Sequence, residues 1–245
     1  MEGIQTWWEG IQQQFYINFI QDDRWKYLWN GLGVTLQLTF CAVLIGIVLG
    51  VILAMIRSTY DKNYQEMRPG FGRFMLKILN VIAKIYLTVI RGTPVVVQLM
   101  IMYYIILASS NNKLLVGMIA FGVNSGAYVA EIVRSGIMSI DPGQFEAGRS
   151  LGFNYLQTMR YIVVPQTIKN VLPSLMNEFI ALLKETSVAG YVAVQDLTKA
   201  GDIIRSRTYS AFMPLIAVAL IYLVVVMFFT WLVGKLERRL RASDH

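Results

Sequence analysis

Long runs of apolar residues constrain this chain more than any other feature of its sequence. The clearest run covers residues 33–56 and reads GVTLQLTFCAVLIGIVLGVILAMI. As an α-helix it would be about 36 Å long, and about 20 such residues already cross the hydrocarbon of a bilayer. Charged residues make up only 15% of the chain, against about 25% in soluble domains. The chain has too little polar surface to cover itself in water, so we predict an integral membrane protein.

Several function classes are disfavoured by this composition. The one histidine is His245, and the one cysteine, Cys41, lies inside an apolar run, whereas a zinc site needs about four ligands of these types. The net charge of +7 would favour nucleic-acid binding in a soluble protein. In a membrane protein it follows from the retention of Lys and Arg on the cytoplasmic side. We expect no metal site, no catalytic residue and no nucleic-acid partner.

The apolar runs predict an all-α membrane protein with five transmembrane helices. The predicted spans are residues 33–56, 95–107, 114–138, 171–194 and 211–233. The second span follows an approach helix to about residue 90 and a break at RGTP, because Pro94 lacks a backbone donor and biases Thr93 away from helix. Residues 1–29 are interpreted as an interfacial segment, with a frayed tail as the alternative. Residues 30–240 form the transmembrane domain, and residues 241–245 are a tail.

The basic residues predict how these spans are oriented. Arg24 and Lys26 precede the first span, and a larger group follows it: Arg57, Lys62, Arg68, Arg73 and Lys77. Because cytoplasmic loops retain the excess of cations, the N-terminus is predicted outside and, after five crossings, the C-terminus inside. The polar segment 195–210 then falls outside, where we expect a loop, and residues 141–165 fall in the cytoplasm.

Residues 141–165, DPGQFEAGRSLGFNYLQTMRYIVVP, interrupt the apolar runs with a short capped helix. Asp141 is a good N-cap, Pro142 suits the first turn, and Gln144 has the spacing of a capping box. Gly152 suits a left-handed cap at the end of this helix. Its small residues would let the helix lie low in a groove on a partner protein. The alternative is an ordinary surface helix lying against the membrane.

A second short helix is predicted directly after the first. Asn154 has the character of an N-cap, and the helix is expected to run from residue 155 to residue 163. Pro165 is expected to stop it, because proline removes a hydrogen bond and clashes with the preceding turn. The segment therefore encodes two short helices at an angle, each with its own start and end.

This segment resembles the EAA signature of permease subunits of ATP-binding cassette importers. That signature is Glu-Ala-Ala, three residues, Gly, nine residues, Ile, one residue, Leu, Pro. The matching positions here are Glu146, Ala147, Gly148, Gly152, Ile162, Val164 and Pro165, with Gly148 in place of the second Ala and Val164 in place of Leu. Further stretches resemble the branch for polar amino acids: NGLGVTLQLT, IRGTPVVVQL, AYVAEIVRSGI, PSLMNEFIALLKETSVAG and LTKAGDIIRSRTY.

The resemblance implies a multi-pass permease subunit in the cell membrane of a prokaryote, importing polar amino acids by alternating access. It also implies a cytoplasmic ATPase dimer that holds ATP and Mg, a second permease chain, and an extracytoplasmic amino-acid-binding protein. The chain itself has no G-x-x-x-x-G-K-[ST] sequence, so it is expected to bind no cofactor and to be no enzyme. The residues assigned to ATPase coupling are Glu146, Ala147, Gly148, Leu151, Gly152 and Pro165. Glu146 would contact the ATPase, and Gly148 and Gly152 would permit its close approach.

Polar residues inside the spans are the candidates for a substrate path, because a charge at mid-bilayer costs at least about 2.5 kcal/mol and therefore faces a cavity or a partner. They are Asn124, Tyr128 and Glu131 in the third span, and Asn177, Glu178, Lys184, Thr186 and Ser187 in the fourth. Glu178, Asn177 and Asn124 are predicted to meet the ammonium group of an amino acid. Lys184, Thr186 or Ser187 would meet its carboxylate. The alternative is that Lys184 and Glu178 lie near interfaces or pair with neighbouring helices, and that Glu131 pairs locally with Arg134.

A secondary carrier or a channel without an ATPase is the rival function. A channel needs no helix for docking an ATPase, and a secondary carrier usually shows internal repeats in one longer chain. The residues leave open which amino acid is carried, whether the two permease chains are identical, and which of them holds the substrate site.

Overall fold

A computed structural model describes the backbone of residues 2–242 and the side chains of residues 7–240. Every regular element in that part of the chain is a helix, as predicted. The α-helices are α1 (Glu2–Phe15), α2 (Trp25–Asn63), α3 (Phe71–Gly92), α4 (Val95–Ile101), α5 (Lys113–Met138), α6 (Pro142–Ser150), α7 (Tyr155–Thr158), α8 (Val164–Glu185), α9 (Leu197–Thr208) and α10 (Phe212–Ala242). Wider π turns cover Tyr16–Ile20, Met102–Ile106 and Met159–Val163, and 3₁₀ turns cover Gln21–Asp23 and Thr186–Val192.

Three helices in the described part of the chain are long and apolar enough to cross a membrane individually: Trp25–Asn63, Lys113–Met138 and Phe212–Leu240. A fourth crossing requires Phe71–Gly92 and Val95–Ile106 to act together, and these two are bent by 111° at their junction. The segment Val95–Ile106 alone is about 18 Å long, which is short of the hydrocarbon thickness of about 30 Å. The predicted span 95–107 therefore does not cross by itself. The predicted count of five spans and the orientation of the termini stay predictions.

The predicted break at RGTP is present. Thr93 is extended, with φ −121° and ψ 147°, and the helix resumes at Val95 after Pro94. The side-chain amide of Gln98 donates to the Ile90 carbonyl at 2.7 Å and to the Thr93 carbonyl at 3.0 Å. The break is thus stabilised by a side chain from the following helix, because carbonyls at a helix end need partners that the helix itself does not supply.

The first long helix begins earlier than the domain boundary at residue 30 implies. Helix α2 starts at Trp25, so residues 25–29 of the predicted interfacial segment belong to a helix that is long and apolar enough to cross a membrane. Ahead of it lies α1, on which Trp7 and Trp8 are exposed. The interfacial position of residues 1–24 stays a prediction, and the predicted tail 241–245 lies outside the residues whose side chains the structure describes.

The centre of the molecule is the contact between α2 and α5, which run in the same direction. Gly46 lies against Ser125, and Gly50 lies against Val129 and Ala130 one turn further along both helices. Gly122 of α5 lies in the same way against Ile45 of α2. Small residues let membrane helices approach closely, and close packing replaces the hydrophobic force that lipid does not provide.

The predicted outer loop at residues 195–210 is a helix, which corrects the sequence interpretation. Its buried residues are Leu197, Ala200, Gly201 and Ile204, whose spacing of three and four forms one helical face. Asp196 caps α9 by accepting the backbone N–H groups of Thr198 and Lys199 at 2.9 and 3.1 Å. The Thr35 hydroxyl of α2 accepts the Leu197 N–H at 3.0 Å. The helix therefore docks on the first turns of α2.

Candidate functional site

Helix α6 begins and ends where the sequence predicts. The Asp141 carboxylate accepts the Gly143 N–H at 2.6 Å, and Pro142 stands at the first turn. At the other end Gly152 has φ +79°, a conformation that residues with a Cβ rarely adopt. The Gly152 and Phe153 N–H groups donate to the carbonyls of Arg149 and Gly148 at 2.9 and 3.0 Å. This pair of hydrogen bonds is the Schellman motif, which ends many helices.

The capping box forms on the second helix instead of the first. The Asn154 side chain accepts the Gln157 N–H, and the Gln157 side chain accepts the Asn154 N–H, both at 2.9 Å. The Gln144 side chain does not return to Asp141; it accepts a hydrogen bond from Gln166 at 3.3 Å. The start of α7 is therefore held by two reciprocal bonds, and the start of α6 by a side-chain cap at Asp141.

Pro165 does not stop the second helix, and this prediction is wrong. Helix α7 passes through the π turn Met159–Val163 directly into α8, where Pro165 occupies the first turn. Proline is tolerated there because the wider π turn before it changes the hydrogen-bonding register, so the missing N–H and the ring do not break the path of the chain. The elements from Tyr155 to Glu185 thus follow one another without a loop.

The contact between α6 and α7 is made by Gly148. It is the buried residue of α6, and a Cβ added to it would lie 2.7 Å from the Thr158 side chain. The predicted role of Gly148 was close approach to a partner protein. In this structure its small size permits close packing inside the chain, because the face of Gly148 is already covered by α7.

The opposite surface of these two helices is open to solvent. Among the predicted coupling residues, Glu146, Ala147, Leu151 and Gly152 are exposed, with Leu151 exposed by 70%. Leu156 of α7 is exposed by 73% and was missed in the sequence analysis, although it follows a recognisable cap. We call the exposed residues Glu146, Ala147, Leu151 and Leu156 of these two short helices the coupling surface.

A cleft of about 490 Å³ lies between α6, α7 and the end of α2, and Glu146 of the coupling surface is one of the residues that line it. The Lys62 ammonium lies 3.5 Å from the centre of the Phe145 ring, and an Arg149 nitrogen lies 3.6 Å from a Glu66 oxygen. The first contact joins α6 to the end of α2, and the second joins α6 to the segment that follows α2. The coupling surface is therefore connected to the first membrane helix as well as to α8.

Two of the predicted path residues, Asn124 and Glu178, form hydrogen bonds at the middle of α5. The Asn124 amide donates to the Gln98 side chain at 3.0 Å, and its carbonyl oxygen is buried with no hydrogen-bond partner in the part of the chain that the structure describes. The next residue, Ser125, donates its hydroxyl to the Glu178 carboxylate at 2.9 Å. Adjacent residues of α5 thus contact the bent α3–α4 segment and α8. The sequence analysis missed Gln98, which the sequence offers as the one amide inside residues 95–107.

Glu131 belongs to a separate ionic cluster. Its carboxylate lies 3.3 Å from Arg134, the local pair that the spacing predicted, and 3.8 Å from Arg91. Arg134 in turn lies 3.6 Å from Asp61 at the end of α2. The Arg91 guanidinium lies 5.9 Å from the centre of the Tyr128 ring. Glu131 and Tyr128 are therefore both in contact with α3 through Arg91.

The remaining predicted path residues lie elsewhere. Asn177 and Lys184 are exposed on α8, while Thr186 is fully buried and donates its hydroxyl to the Leu183 carbonyl at 2.8 Å. Ser187 lines a cavity of about 330 Å³ together with Tyr191, Lys199 and Asp202. Hydrogen bonds from Lys199, and then from Arg205, lower the pKa of Asp202 below its ordinary value. The predicted set is thus divided among the Asn124–Glu178 group, the Glu131 cluster and the region around the end of α8.

The sequence of the chain matches a known family. Residues 70–242 match the model of the family described as binding-protein-dependent transport system inner membrane component. The chain belongs to this family. The match includes α6, α7 and the whole EAA-like segment. Members are inner-membrane components, so the predicted multi-pass membrane location is confirmed at the level of the family.

Two relatives of this chain are permease proteins of amino-acid transport systems. The arginine transport system permease protein ArtQ of Bacillus subtilis is 34% identical over 222 residues, covering 89% of this chain and 94% of the relative. The glutamine transport system permease protein GlnP of Escherichia coli K12 is 36% identical over 177 residues, covering 70% of this chain and 81% of the relative. The predicted resemblance to permease subunits of ATP-binding cassette importers is therefore confirmed.

Solved structures agree on the fold. A crystal structure of an amino acid ABC transporter with histidines has a TM-score of 0.78 and 40% identity, covering 90% of this chain and 98% of the solved one. An inward-facing structure of the MetNI methionine ABC transporter has a TM-score of 0.72 at 20% identity, covering 87% and 95% of the two chains. The second likeness concerns the fold alone.

Proposed function

We propose that this chain is the membrane-spanning subunit of an importer for polar amino acids, moving its substrate by alternating access and driven by a separate ATPase. Family membership and the arginine and glutamine relatives support the substrate class. The absence of a phosphate-binding G-x-x-x-x-G-K-[ST] sequence supports a separate ATPase. The proposal includes five spans, a second permease chain and an extracytoplasmic amino-acid-binding protein.

The observation that carries this proposal is the helical path from the coupling surface to Glu178. Helix α7 continues through the π turn into α8, and Glu178 lies on α8 in contact with Ser125. A displacement of α6 and α7 by a partner would therefore move the base of the same helix that carries Glu178. Such coupling needs a partner whose contacts differ between two states.

The coupling surface has the chemistry of a docking site for an ATPase. Glu146 offers a carboxylate for a charge-assisted hydrogen bond, and Leu151 and Leu156 offer apolar area beside it. Docking would bury both leucines, and this burial would stabilise the complex by about 25 cal/mol for each Å² of apolar area removed from water. The cap at Gly152 sets the angle between α6 and α7, and thus the shape of this surface.

The Asn124–Glu178 group has the chemistry to bind an ammonium group. Glu178 supplies a carboxylate oxygen that accepts the Ser125 hydroxyl, and Asn124, the residue before Ser125 on α5, supplies a buried amide oxygen that has no partner among the described residues. A buried acceptor without a partner costs about 1–3 kcal/mol, and a ligand that donates a hydrogen bond would remove this cost. We assign the ammonium group of the substrate to Asn124 and Glu178. Its carboxylate would meet cations or hydroxyl groups towards the end of α8, such as Lys184 or Ser187.

The experiment is amino-acid uptake into proteoliposomes containing the chain, its second permease chain and its ATPase, with the binding protein added. Glu146→Ala is expected to reduce ATP-driven uptake at least tenfold, because the docking carboxylate is lost while the cap at Asp141 and the packing of Gly148 remain. Ser150→Ala, an exposed change on the same helix, is the matched control and should retain uptake.

Two outcomes would contradict the proposal. Normal uptake by the Glu146→Ala variant would show that Glu146 has no role in coupling to the ATPase. Uptake by vesicles that contain the permease chains alone, driven by an ion gradient or by the amino-acid gradient, would instead support the rival secondary carrier or channel.

A further inference from the structure

A second polar cleft lies on the side of the molecule formed by α2, α3 and α5, away from the coupling surface. Its volume is about 480 Å³, and its lining includes the three cations Arg57, Lys84 and Arg91. Glu131 is the one carboxylate among the residues that line it, and it is already shared by Arg91 and Arg134. The cleft therefore has an excess of positive charge that the described part of the chain does not neutralise.

The hydrogen bonds of these cations are incomplete. Arg57 donates to the Asn80 side chain at 3.4 Å, and its Nε is buried without a hydrogen-bond partner among the described residues. Lys84 is exposed and has no carboxylate within ion-pair distance in the described part of the chain. A cluster of donors around a cleft favours an anion with several oxygen acceptors, and a phosphate group has this chemistry.

The position of the cleft selects the source of that phosphate. Arg57 directly follows the apolar run 33–56, so it stands where a membrane-spanning segment meets the headgroup region. Lys84 is flanked on α3 by exposed apolar residues, with Val81, Ile85 and Val89 exposed by 47%, 59% and 53%. A soluble anion would make no use of this apolar flank, whereas the acyl chains of a phospholipid would lie along it.

We propose that this cleft is a binding site for the headgroup phosphate of an anionic phospholipid. Arg57 and Lys84 bind the phosphate, Arg91 adds positive charge from the far side, and the acyl chains follow the apolar face of α3. The site needs only the boundary position of Arg57 and holds for either orientation of the chain. It is also independent of the proposed transport substrate.

The test is native mass spectrometry of the assembled transporter, purified in detergent and equilibrated with equal amounts of phosphatidylglycerol and phosphatidylcholine. The unmodified protein is expected to retain phosphatidylglycerol preferentially. Each cation near a membrane surface contributes about fivefold to the binding of an anionic lipid. The double change Arg57→Gln and Lys84→Gln should therefore lower phosphatidylglycerol retention by about 25-fold and leave phosphatidylcholine retention unchanged.

The controls distinguish loss of this binding site from a general loss of positive charge and from misfolding. Arg68→Gln with Lys77→Gln removes two exposed cations from the same region without touching the cleft lining and should retain the lipid. Arg57→Lys with Lys84→Arg keeps both charges and should restore most of the binding. An unchanged elution profile in size-exclusion chromatography shows that each variant is assembled.

Three outcomes would overturn the proposal. The first is equal retention of the two lipids by the unmodified protein, and the second is unchanged retention by the Arg57 and Lys84 double variant. The third is displacement of the lipid by millimolar inorganic phosphate or by an amino acid, which would assign the cleft to a soluble anion or to the substrate.

Discussion

The contact between α2 and α5 and the contact between α6 and α7 both depend on a glycine, but in different surroundings. Gly50 lets α2 approach Val129 closely inside the membrane domain. Gly148 lets α6 approach Thr158 closely beside the cleft between α6, α7 and the end of α2. The first contact is one of several along two long helices, and the second is the one buried position of a short helix. A close contact at a glycine therefore holds the long helices α2 and α5 together in the membrane domain. The same kind of contact sets the position of the short helix α6, the proposed docking element, against α7.

Substitution of Gly50 tests the scaffold contact and should have the largest effect. In Gly50→Ala the new Cβ would meet Val129 Cγ1 at 2.5 Å and the Ala130 backbone nitrogen at 2.8 Å, so the helices must separate. Overpacking of this kind costs about 1–3 kcal/mol. We expect a lower melting temperature and less assembled protein in detergent, measured by fluorescence-detected size exclusion.

Gly33→Ala is the matched control on the same helix. A Cβ at Gly33 meets nothing within 4 Å, and alanine is favoured over glycine in a helix by up to about 1 kcal/mol. This variant should be as stable as the unmodified protein or slightly more stable. Equal melting temperatures for Gly50→Ala and Gly33→Ala would show that α2 and α5 can accommodate the added methyl group without loss of stability.

Substitution of Gly148 tests the contact within the docking element. In Gly148→Ala the new Cβ would lie 2.7 Å from both Thr158 Cγ2 and Oγ1. We expect a cost of about 1–2 kcal/mol, borne mostly by the α6–α7 pair because the membrane helices do not share this contact. ATP-driven uptake should fall several-fold while the amount of assembled protein stays near normal.

A second change in the same contact sharpens this result. Thr158→Ala removes both contacting atoms, so Gly148→Ala with Thr158→Ala should recover much of the lost uptake. An additive loss in the double variant would contradict a direct contact between these residues, because independent sites add and neighbours couple.

Substitution of Gly152 should have the smallest effect on stability. A residue with a Cβ in the left-handed conformation costs about 1 kcal/mol, and asparagine tolerates it best. We expect Gly152→Val to reduce uptake and Gly152→Asn to retain most of it, at similar amounts of assembled protein. Equal uptake by the two variants would mean that the angle set at this cap does not matter for coupling.

The two contacts also differ in how far the sequence alone reveals them. The ends of α6 were predictable because Asp141 and Gly152 act through local backbone geometry, which neighbouring residues determine. Which helix face lies against Gly50 depends on residues almost 80 positions away, so the spacing of Gly46 and Gly50 indicated only that some helix could approach. Local signals identified the docking element, and distant packing had to be observed.

Three further differences have physical causes that particular residues show. The charged residues of α9 are typical of a loop, whereas the helical spacing of its buried residues Leu197, Ala200 and Ile204 indicates a helix. Pro165 is a helix breaker by its local chemistry, and the sequence gives no clear signal for the π turn that lets the chain continue through it as a helix. Gln98 was overlooked because its role depends on the bend at Pro94 and on Asn124, which lies on another helix.

The π turn Met159–Val163 has a geometric consequence of its own. A π turn holds one residue more than an α-helical turn, and each residue of an α-helix accounts for about 100° of rotation and 1.5 Å of rise. Conversion of this turn to α-helical spacing would rotate α8 relative to α7 by about that angle. Glu178 would then swing off the side of the helix that meets Ser125. A shift of one residue in the helical register at this turn would therefore break that hydrogen bond without a hinge or a loop.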